Sequence, residues 1–276
     1  MKQFFLIGIL ASFFSFSVWS LQSRAAITDA PQLPLNFQDK NNGGKSKQPV
    51  LVELYTAVAC PACPPADRNL AFLEKEQPFA EAEVITLALH VDYRDSGGRR
   101  DEFSSPMFTR RQDIYRQAFN IGSIFTPQMI VDGQSAFVGS DLSKVQKSII
   151  ENAKKEKGKI ELSAAEEAKG GVNLKAKISE LPAHENATIF LAIAEDNLDS
   201  KDRRGANSNN NLEYIPVVRE LKSLGFLTAE QKNLETEIFL QLQPNWKSEN
   251  LKFVVFLQEN RTRRILGVNA LKIKTK

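Results

Sequence analysis

The chain has 276 residues, of which 42% are apolar and 25% are charged. These fractions are typical of a globular protein and exclude wholesale disorder. The 36 basic and 33 acidic residues leave a net charge of only +3, which argues against nucleic acid as a partner, because nucleic-acid-binding proteins usually carry a concentrated basic surplus. With two cysteines, the chain is not a small scaffold held together by many disulfides.

The N-terminal segment is typical of a secretory signal peptide. Lys2 precedes an apolar run from Phe4 to Val18, which is shorter than the roughly 18–20 residues that a membrane span needs. We predict a signal peptide over residues 1–23 and a flexible lead-in, rich in Pro, Asn, Gly and Lys, over residues 24–47. The alternative is an uncleaved N-terminal anchor. Cleavage would leave no membrane span, and the protein would be secreted, in the periplasm, where disulfides persist.

Strands and helices alternate in the first part of the chain. Val50–Tyr55 and Val84–Val91 are predicted buried strands, and between them Ala66, Leu70 and Leu73 mark one face of a helix. The polar stretch 92–105 is predicted to be an exposed loop. Two arginines of this loop and two of the following segment form either a solvated face or a surface that recruits acidic partners. They are Arg99, Arg100, Arg110 and Arg111.

A second helix is predicted to begin at Pro106, with Ser105 as its N-cap. Its apolar stripe comprises Met107, Phe108, Ile114, Tyr115 and Ala118. Residues 128–131 and 135–138 are predicted strands joined by a hairpin turn at Asp132-Gly133. A helix capped at Ser140 or Asp141 follows.

Strand patterns dominate the remainder of the chain. They cover residues 160–163, 172–178, 188–194, 215–221, 237–242, 251–257 and 265–273, with a polar loop over 200–211. Short strands separated by Gly, Asn and Pro favour an antiparallel β-sandwich. We therefore predict a domain boundary at residue 157.

Cys60 and Cys63 are the strongest chemical signal, because they follow a buried strand and open a helix. The free N–H groups at a helix N-terminus stabilise a thiolate, which makes Cys60 the attacking sulfur and Cys63 the resolving one. Pro65 is expected to delay or kink the first helical turn. Two alternatives stay open, a static disulfide that braces the turn and a metal site in which His90 is the third ligand.

Thr126-Pro127 is the second signal. Cis peptide bonds occur almost exclusively before proline, where their energetic cost is small. A cis bond here would let the backbone of Thr126 pair with an extended substrate chain. The alternative is an ordinary trans proline before a strand.

Together these stretches resemble thioredoxin-fold proteins. More closely, residues 49–276 are similar to a family of secreted bacterial proteins called domain of unknown function 1223. The resemblance is carried by residues 52–56, 63–68, 90–93, 103–106, 126–133 and 138–140. It implies an α/β thioredoxin-like domain over residues 48–157, followed by an antiparallel β-sandwich-like domain over residues 158–276.

The resemblance also assigns candidate roles to two further residues. Glu53 occupies the place where thioredoxins keep a buried acid behind the cysteine pair, from which it could relay a proton to Cys63; alternatively it is a carboxylate paired at the strand edge. His90 ends the second strand and could tune a thiolate, or it could be a buried, hydrogen-bonded structural histidine.

We therefore expect an exported thiol–disulfide oxidoreductase with Cys60, Cys63, Thr126, Pro127 and Glu53 in its site and no cofactor. Its partners would be exported protein thiols and disulfides, and a membrane redox protein is a further candidate. Whether it oxidises, reduces or isomerises its substrates is left open. The alternatives are a non-catalytic binding or assembly protein, and a Cu(I) carrier that uses Cys60, Cys63 and His90.

Overall fold

A computed structural model describes residues 47–95, 100–167, 171–199, 213–214 and 216–273. The predicted signal peptide, residues 24–46 of the predicted lead-in, Arg99 of the arginine group and the polar loop 200–211 lie outside these residues. Among the residues described, none of the helices combines the length and the apolar composition needed to span a membrane.

The first part of the chain has the predicted alternation of strands and helices. Its elements are β1 (Gln48–Thr56), α1 (Pro64–Glu76), β2 (Ala82–His90), a 3₁₀ helix (Asp92–Arg94), α2 (Pro106–Ala118), β3 (Gln128–Val131), β4 (Ser135–Val138) and α3 (Leu142–Asn152). The predicted caps are confirmed, because Ser105 Oγ accepts a hydrogen bond from Met107 N and Asp141 Oδ1 accepts one from Lys144 N.

The rest of the described chain is almost entirely β-structure, and each of the seven predicted strands overlaps an observed one. The strands are β5 (Lys159–Glu167), β6 (Gly171–Ser179), β7 (Ala187–Glu195), β8 (Leu198–Asp199), β9 (Glu213–Tyr214), β10 (Val217–Leu227), β11 (Leu234–Gln241), β12 (Leu251–Glu259) and β13 (Ile265–Lys272).

The strands assemble into one large mixed sheet, a three-stranded sheet and a two-stranded one. The order in the large sheet is β13-β12-β7-β10-β2-β1-β3-β4. The β1–β2 and β2–β10 pairs are parallel, and the other neighbours are antiparallel.

The predicted fold class is wrong. The chain is mostly β rather than a helix-rich α/β thioredoxin fold, and its described residues contain only three α-helices. The physical reason is that Val217 of β10 pairs with Ala88 of β2, so strands from the second half continue the sheet of the first half. The proposed division of the chain at residue 157, between α3 and β5, stays a prediction.

The β-sandwich-like character of the second half is confirmed. The small sheet, in the order β11-β6-β5, presents Val172, Leu174 and Ala176 to a core that it shares with Ile189 of β7 and Phe253 of β12. Two sheets that bury their apolar faces against each other form the layers of a sandwich.

The alternation of side chains along β1 gives the large sheet two apolar faces. Val50, Val52 and Leu54 share a core with apolar residues of α1 and α3, whereas Leu51 and Tyr55 share a core with residues of α2. The sheet is therefore covered by helices on both sides of β1.

Two predictions about the surface of this region are wrong. The stretch 92–105 is not a fully exposed loop, because Asp101, Phe103 and Ser104 are buried. Met107 and Ile114 were expected in the apolar stripe of α2, but they are 41% and 43% exposed. The loop is buried because Asp101 and Phe103 contact His90 at the end of β2. Met107 and Ile114 are exposed because α2 packs through Phe108 and Tyr115 instead.

The hairpin turn between β3 and β4 joins the two halves of the chain. Asp132 and Gly133 both have positive φ, 50° and 64°, and the main-chain oxygen of Asp132 accepts a hydrogen bond from Ile265 N at 3.2 Å. The Asp132 carboxylate accepts a hydrogen bond from Leu51 N at 2.9 Å and pairs with Lys157 Nζ at 2.5 Å, with both side chains 2% exposed. The turn is therefore locked against β1 and against the start of β13.

Gly133→Ala should destabilise the protein, because a Cβ atom at this position would lie 1.9 Å from the main-chain oxygen of Arg263. The left-handed backbone adds its own cost, and we expect a total loss of at least about 2 kcal/mol in the free energy of unfolding. Urea unfolding measures it. Gly122→Ala is the matched control, since nothing lies within 4 Å of its Cβ position. A loss no larger than that of the control would contradict the locked turn.

Candidate functional site

The two cysteines form a disulfide between the end of β1 and the start of α1. Cys60 and Cys63 are joined with a Cα–Cα distance of 5.4 Å. They are 1% and 0% exposed, and they belong to the same apolar cluster as Tyr55 and Phe108. Residues 59, 61 and 62 around them are exposed. The bridge thus lies just beneath an uncharged surface loop.

Backbone hydrogen bonds explain why this segment turns directly into a helix. Cys60 N donates to Ala57 O at 3.1 Å, and the main-chain oxygen of Cys63 accepts from Ala66 N at 2.8 Å and Asp67 N at 3.0 Å. Cys63 is the N-cap, and prolines fill the first two helical positions. The expected kink at Pro65 is wrong, because the N–H groups of these positions have no partner within a helix, so proline there costs no hydrogen bond.

The Thr126-Pro127 peptide bond is cis, as predicted. The residue after it, Gln128, pairs with Tyr55 in the antiparallel β1–β3 ladder, so Thr126 and Pro127 lie at the end of β1 that leads to the disulfide. Pro127 O accepts a hydrogen bond from Gly139 N at 3.1 Å, and a Cβ atom on Gly139 would lie 2.8 Å from Leu54 of β1 and 3.0 Å from Ala66 in the first turn of α1. The proline is therefore packed beside the helix that Cys63 begins.

A buried carboxylic acid lies in that same helical turn. Asp67 comes one turn after Cys63, on the same side of α1, and is 7% exposed. Its Oδ1 accepts a hydrogen bond from Thr56 Oγ1 at 2.8 Å, whereas Oδ2 is buried without a hydrogen-bond partner among the described residues. Burial raises the pKa of Asp67 to about 7, although the charge of His90 and the bond from Thr56 lower it. Asp67 can therefore take up or release a proton near neutral pH.

His90 forms a second buried polar pair at the same edge of the sheet. It is opposite Thr56 in the parallel β1–β2 ladder, and its Nδ1 lies 2.7 Å from Asp101 Oδ2. Asp101 also accepts hydrogen bonds from Val58 N and Phe103 N at 2.8 and 2.9 Å. Burial raises the pKa of Asp101, but the charge and hydrogen bond of His90 and the two backbone bonds outweigh it and hold that pKa below its ordinary value. The Asp101 carboxylate thus fixes the orientation of His90.

Glu53 lies in a separate buried network on the face of β1 that Leu51 and Tyr55 share, which is the face opposite that of Thr56. Arg111 Nε and Nη2 donate to its two carboxylate oxygens at 2.6 and 3.1 Å, and Tyr115 Oη donates to Oε2 at 2.6 Å. Arg111 also donates to Gln258 Oε1, and its guanidinium lies 5.1 Å from the ring centroid of Phe190. Burial lowers the pKa of Arg111, but the negative charge of Glu53 outweighs it and raises the pKa. These contacts favour the paired-carboxylate alternative for Glu53, whose role as a proton relay stays a prediction.

The structure brings Cys60, Cys63, Thr126 and Pro127 to one edge of the sheet and places His90 at the adjoining strand end. Sequence reasoning assigned no role to Asp67, although it is a charged residue next to the apolar positions of the predicted helix face. Arg111 was grouped with exposed arginines, but it is 8% exposed. Its position between Phe108 and Tyr115, at helical spacing, was the available signal.

The described residues contain no group of three or more His, Cys, Asp and Glu side chains arranged to hold a metal ion. Cys60 and Cys63 are bonded to each other and His90 Nδ1 to Asp101. The alternative of a Cu(I) carrier that uses Cys60, Cys63 and His90 in the reduced protein stays a prediction.

The fold and site define a mostly β protein with a Cys-x-x-Cys disulfide at the start of a helix. Residues 51–258 match the sequence profile of the family described as protein of unknown function, DUF1223. The match covers most of the chain, so the chain belongs to this family, as the resemblance predicted. Among curated proteins, none matches the chain significantly.

Two solved structures share the fold over most of the chain. Protein AGR_C_4864 from Agrobacterium tumefaciens is 21% identical, with a TM-score of 0.63 over 84% of this chain and 98% of its own. HBP35 of Porphyromonas gingivalis is 14% identical, with a TM-score of 0.62 over 83% of this chain and 76% of its own. At these identities the likeness concerns the fold alone.

Asp67→Asn should change how stability depends on pH. Since the pKa of Asp67 is higher in the folded than in the unfolded protein, the unfolded state loses its proton first as the pH rises from about 4 to about 7. Asp67 therefore destabilises the fold progressively over this window, and the neutral asparagine does not. We expect the stability of the variant relative to wild type to increase across the window by roughly 4 kcal/mol.

Urea unfolding of both proteins at pH 4 to 8 measures this difference. Asp141→Asn, which removes a carboxylate at the exposed N-cap of α3, should not produce the increase. A difference between Asp67→Asn and wild type that is independent of pH would show that folding does not raise the pKa of Asp67.

Proposed function

We propose that this protein is a thiol–disulfide oxidoreductase that acts on exported proteins through Cys60 and Cys63. The proposal depends mainly on Asp67, a buried acid with a pKa of about 7 that lies one helical turn after Cys63. A carboxyl group buried with an unbonded oxygen costs stability. A disulfide that only braces a turn has no use for such a group, whereas one that opens and closes needs a proton donor and acceptor.

The chemistry requires two exchange steps. A substrate thiolate attacks the sulfur of Cys60, the Cys60–Cys63 bond breaks, and Cys63 leaves as a thiolate that takes a proton from Asp67. The substrate's second thiolate then attacks its own sulfur in the mixed disulfide and releases the Cys60 thiolate. The substrate dithiolate is oxidised to a disulfide, and the protein disulfide is reduced to the Cys60 thiolate and the Cys63 thiol, while Asp67 becomes ionised. In the reverse direction Asp67, in its ionised form, accepts the proton of Cys63.

The positions of the two sulfurs support Cys60 as the one that bonds to substrate. Cys60 precedes the helix and is flanked by the exposed residues Ala59 and Pro61, whereas Cys63 is the N-cap residue and is completely buried. Pro64 and Pro65 supply no N–H group, so it is the positive end of the α1 dipole that favours a thiolate here. The cis peptide bond before β3 lies at the same edge, where the backbone of Thr126 could align an extended substrate chain.

A second candidate function is a binding or assembly protein whose disulfide is inert. The observation that favours it is the burial of both sulfurs, with exposures of 1% and 0%, because a structural disulfide is shielded from attacking thiols. The oxidoreductase proposal accommodates this burial only if the loop over residues 59–62 yields when a substrate approaches. The pattern of residues 1–23 supports export for both candidates.

Cys63→Ser should trap the substrate, because the Cys60 thiolate can form a mixed disulfide that no second cysteine resolves. With oxidised glutathione as the probe, we expect one bound glutathione per chain, detected by intact-protein mass spectrometry under native conditions. Cys60→Ser is the matched control and should trap at least about tenfold more slowly, since Cys60 lies between the exposed residues Ala59 and Pro61 whereas Cys63 is followed by the buried Pro64.

If the folded Cys63→Ser variant reacts with glutathione no faster than the Cys60→Ser variant, Cys60 is not the reactive sulfur. The inert-disulfide candidate then stands in its place. Circular dichroism of both variants confirms that a lack of reaction does not result from misfolding.

A further inference from the structure

A rigid segment holds an arginine beside the cis-proline. The 3₁₀ helix Asp92–Arg94 follows β2 directly and is fastened at both ends. Asp92 N donates to Thr109 Oγ1 at 3.2 Å, and that hydroxyl donates back to the carboxylate of Asp92. Asp95 accepts hydrogen bonds from Ser104 Oγ at 2.8 Å and from Asp101 N at 3.0 Å. The position of Arg94 is therefore set before any ligand arrives.

The side chain of Arg94 is itself held at two points. Its Nε donates to Thr126 Oγ1 at 2.9 Å, and its guanidinium carbon lies 5.7 Å from the centroid of the Tyr93 ring. Within the part of the chain that the structure describes, Arg94 forms no ion pair. The Arg94 side chain also hydrogen-bonds to that of Tyr93, and the remaining donors of its planar guanidinium are suited to a carboxylate.

Arg94 lies at the same edge of the sheet as the disulfide. Its hydrogen-bond partner, Thr126, precedes Pro127, and the β1–β3 register places both beyond Tyr55, on the side of the loop that carries Cys60. Among the charged groups of β2 and α1 near this edge, His90 contacts Asp101, and Asp67 accepts a hydrogen bond from Thr56 and is also influenced by the charge of Arg68. A ligand bonded to Cys60 would thus meet a positive charge that no described carboxylate neutralises.

We propose that Tyr93, Arg94 and Thr126 form a carboxylate-binding subsite that makes the protein selective for substrates with a carboxylate close to the reacting sulfur. This inference rests on the proposed thiol–disulfide exchange and specifies its substrate class, namely acidic thiols and disulfides. Arg94 is a specificity-determining residue that binds the substrate and takes no part in bond breaking. Because Thr126 and Tyr93 already hold the Arg94 side chain in place, less conformational entropy is lost on binding.

The test uses two small disulfides that differ in charge. Reduced wild-type protein is mixed with the symmetric disulfide of N-acetylcysteine, which carries two carboxylates, or with that of N-acetylcysteine amide, which carries none. The Cys60 thiolate attacks one sulfur, the first N-acetylcysteine leaves as a thiolate and is protonated by water, and the Cys63 thiolate displaces the second. The protein dithiol is oxidised and the small disulfide is reduced. Alkylation and mass spectrometry follow the rate.

For each variant, the rate with the acidic disulfide is divided by the rate with the neutral disulfide. Comparing this ratio between variants removes the intrinsic difference in reactivity between the two leaving groups. Arg94→Met should lower this ratio by roughly three- to fivefold at low ionic strength, the effect of one exposed charge pair. Arg94→Lys, which keeps the charge and loses the fork, should retain part of the preference. Arg110→Met, on the exposed face of α2, is the matched control and should keep the wild-type ratio.

An unchanged ratio in Arg94→Met, or an equal fall in Arg110→Met, would overturn the subsite and leave the exchange function standing. If wild-type protein reacts with neither disulfide while folded, the exchange function itself fails, and the subsite fails with it. If the acidic-to-neutral rate ratio of Arg94→Lys lies between the ratios of wild type and Arg94→Met, loss of folding is excluded as the explanation.

Discussion

The parallel pairing of β1 with β2 is the constraint on which the site depends. Parallel strands end at the same edge of a sheet, so the register that sets Thr56 opposite His90 brings the ends of both strands together. β3 runs in the opposite direction and begins at this edge with the residues after the cis-proline. The disulfide, the buried acid and Arg94 are all attached to these three strand ends. A shift of the β1–β2 register would turn Thr56 away from Asp67 and dismantle the site.

Buried charge ties the two halves of the chain together. Arg111 of α2 lies between Glu53 of β1 and Gln258 of β12, with Phe190 of β7 against its guanidinium. Removing one partner of such a pair leaves a desolvated charge, so these groups specify one arrangement of the strands more than they add stability. Asp132 and Lys157 act in the same way on the turn that contacts β13. The second half is thereby held as a continuation of the first half's sheet.

Local patterns in the sequence were sufficient for the elements and for part of the site. Ser105 and Asp141 cap helices as predicted, β3 and β4 have the predicted bounds, and the bond before Pro127 is cis. Each of these depends on a few neighbouring residues. The fold class was wrong because the pairing of β10 with β2 joins residues far apart in sequence, and nothing in either strand's own pattern indicates its neighbour.

The same distinction applies to the charged residues. A carboxylate such as Asp67 looks like a solvated position until the burial of its helix face is known, and Arg111 looks like part of a basic surface until Glu53 is placed opposite it. Their roles result from desolvation and from partners contributed by other elements. Family membership indicates the fold in which these residues lie, but their chemistry depends on the contacts that each side chain makes.

The reduction potential of the Cys60–Cys63 pair distinguishes a redox-active pair from a structural disulfide. It is measured on the folded protein by equilibration with reduced and oxidised glutathione, followed by mass-tagging of free thiols. A redox-active pair should have a potential between roughly −120 and −270 mV, the range of exchange catalysts. A potential below about −300 mV is that of a structural disulfide and would contradict thiol–disulfide exchange by Cys60 and Cys63.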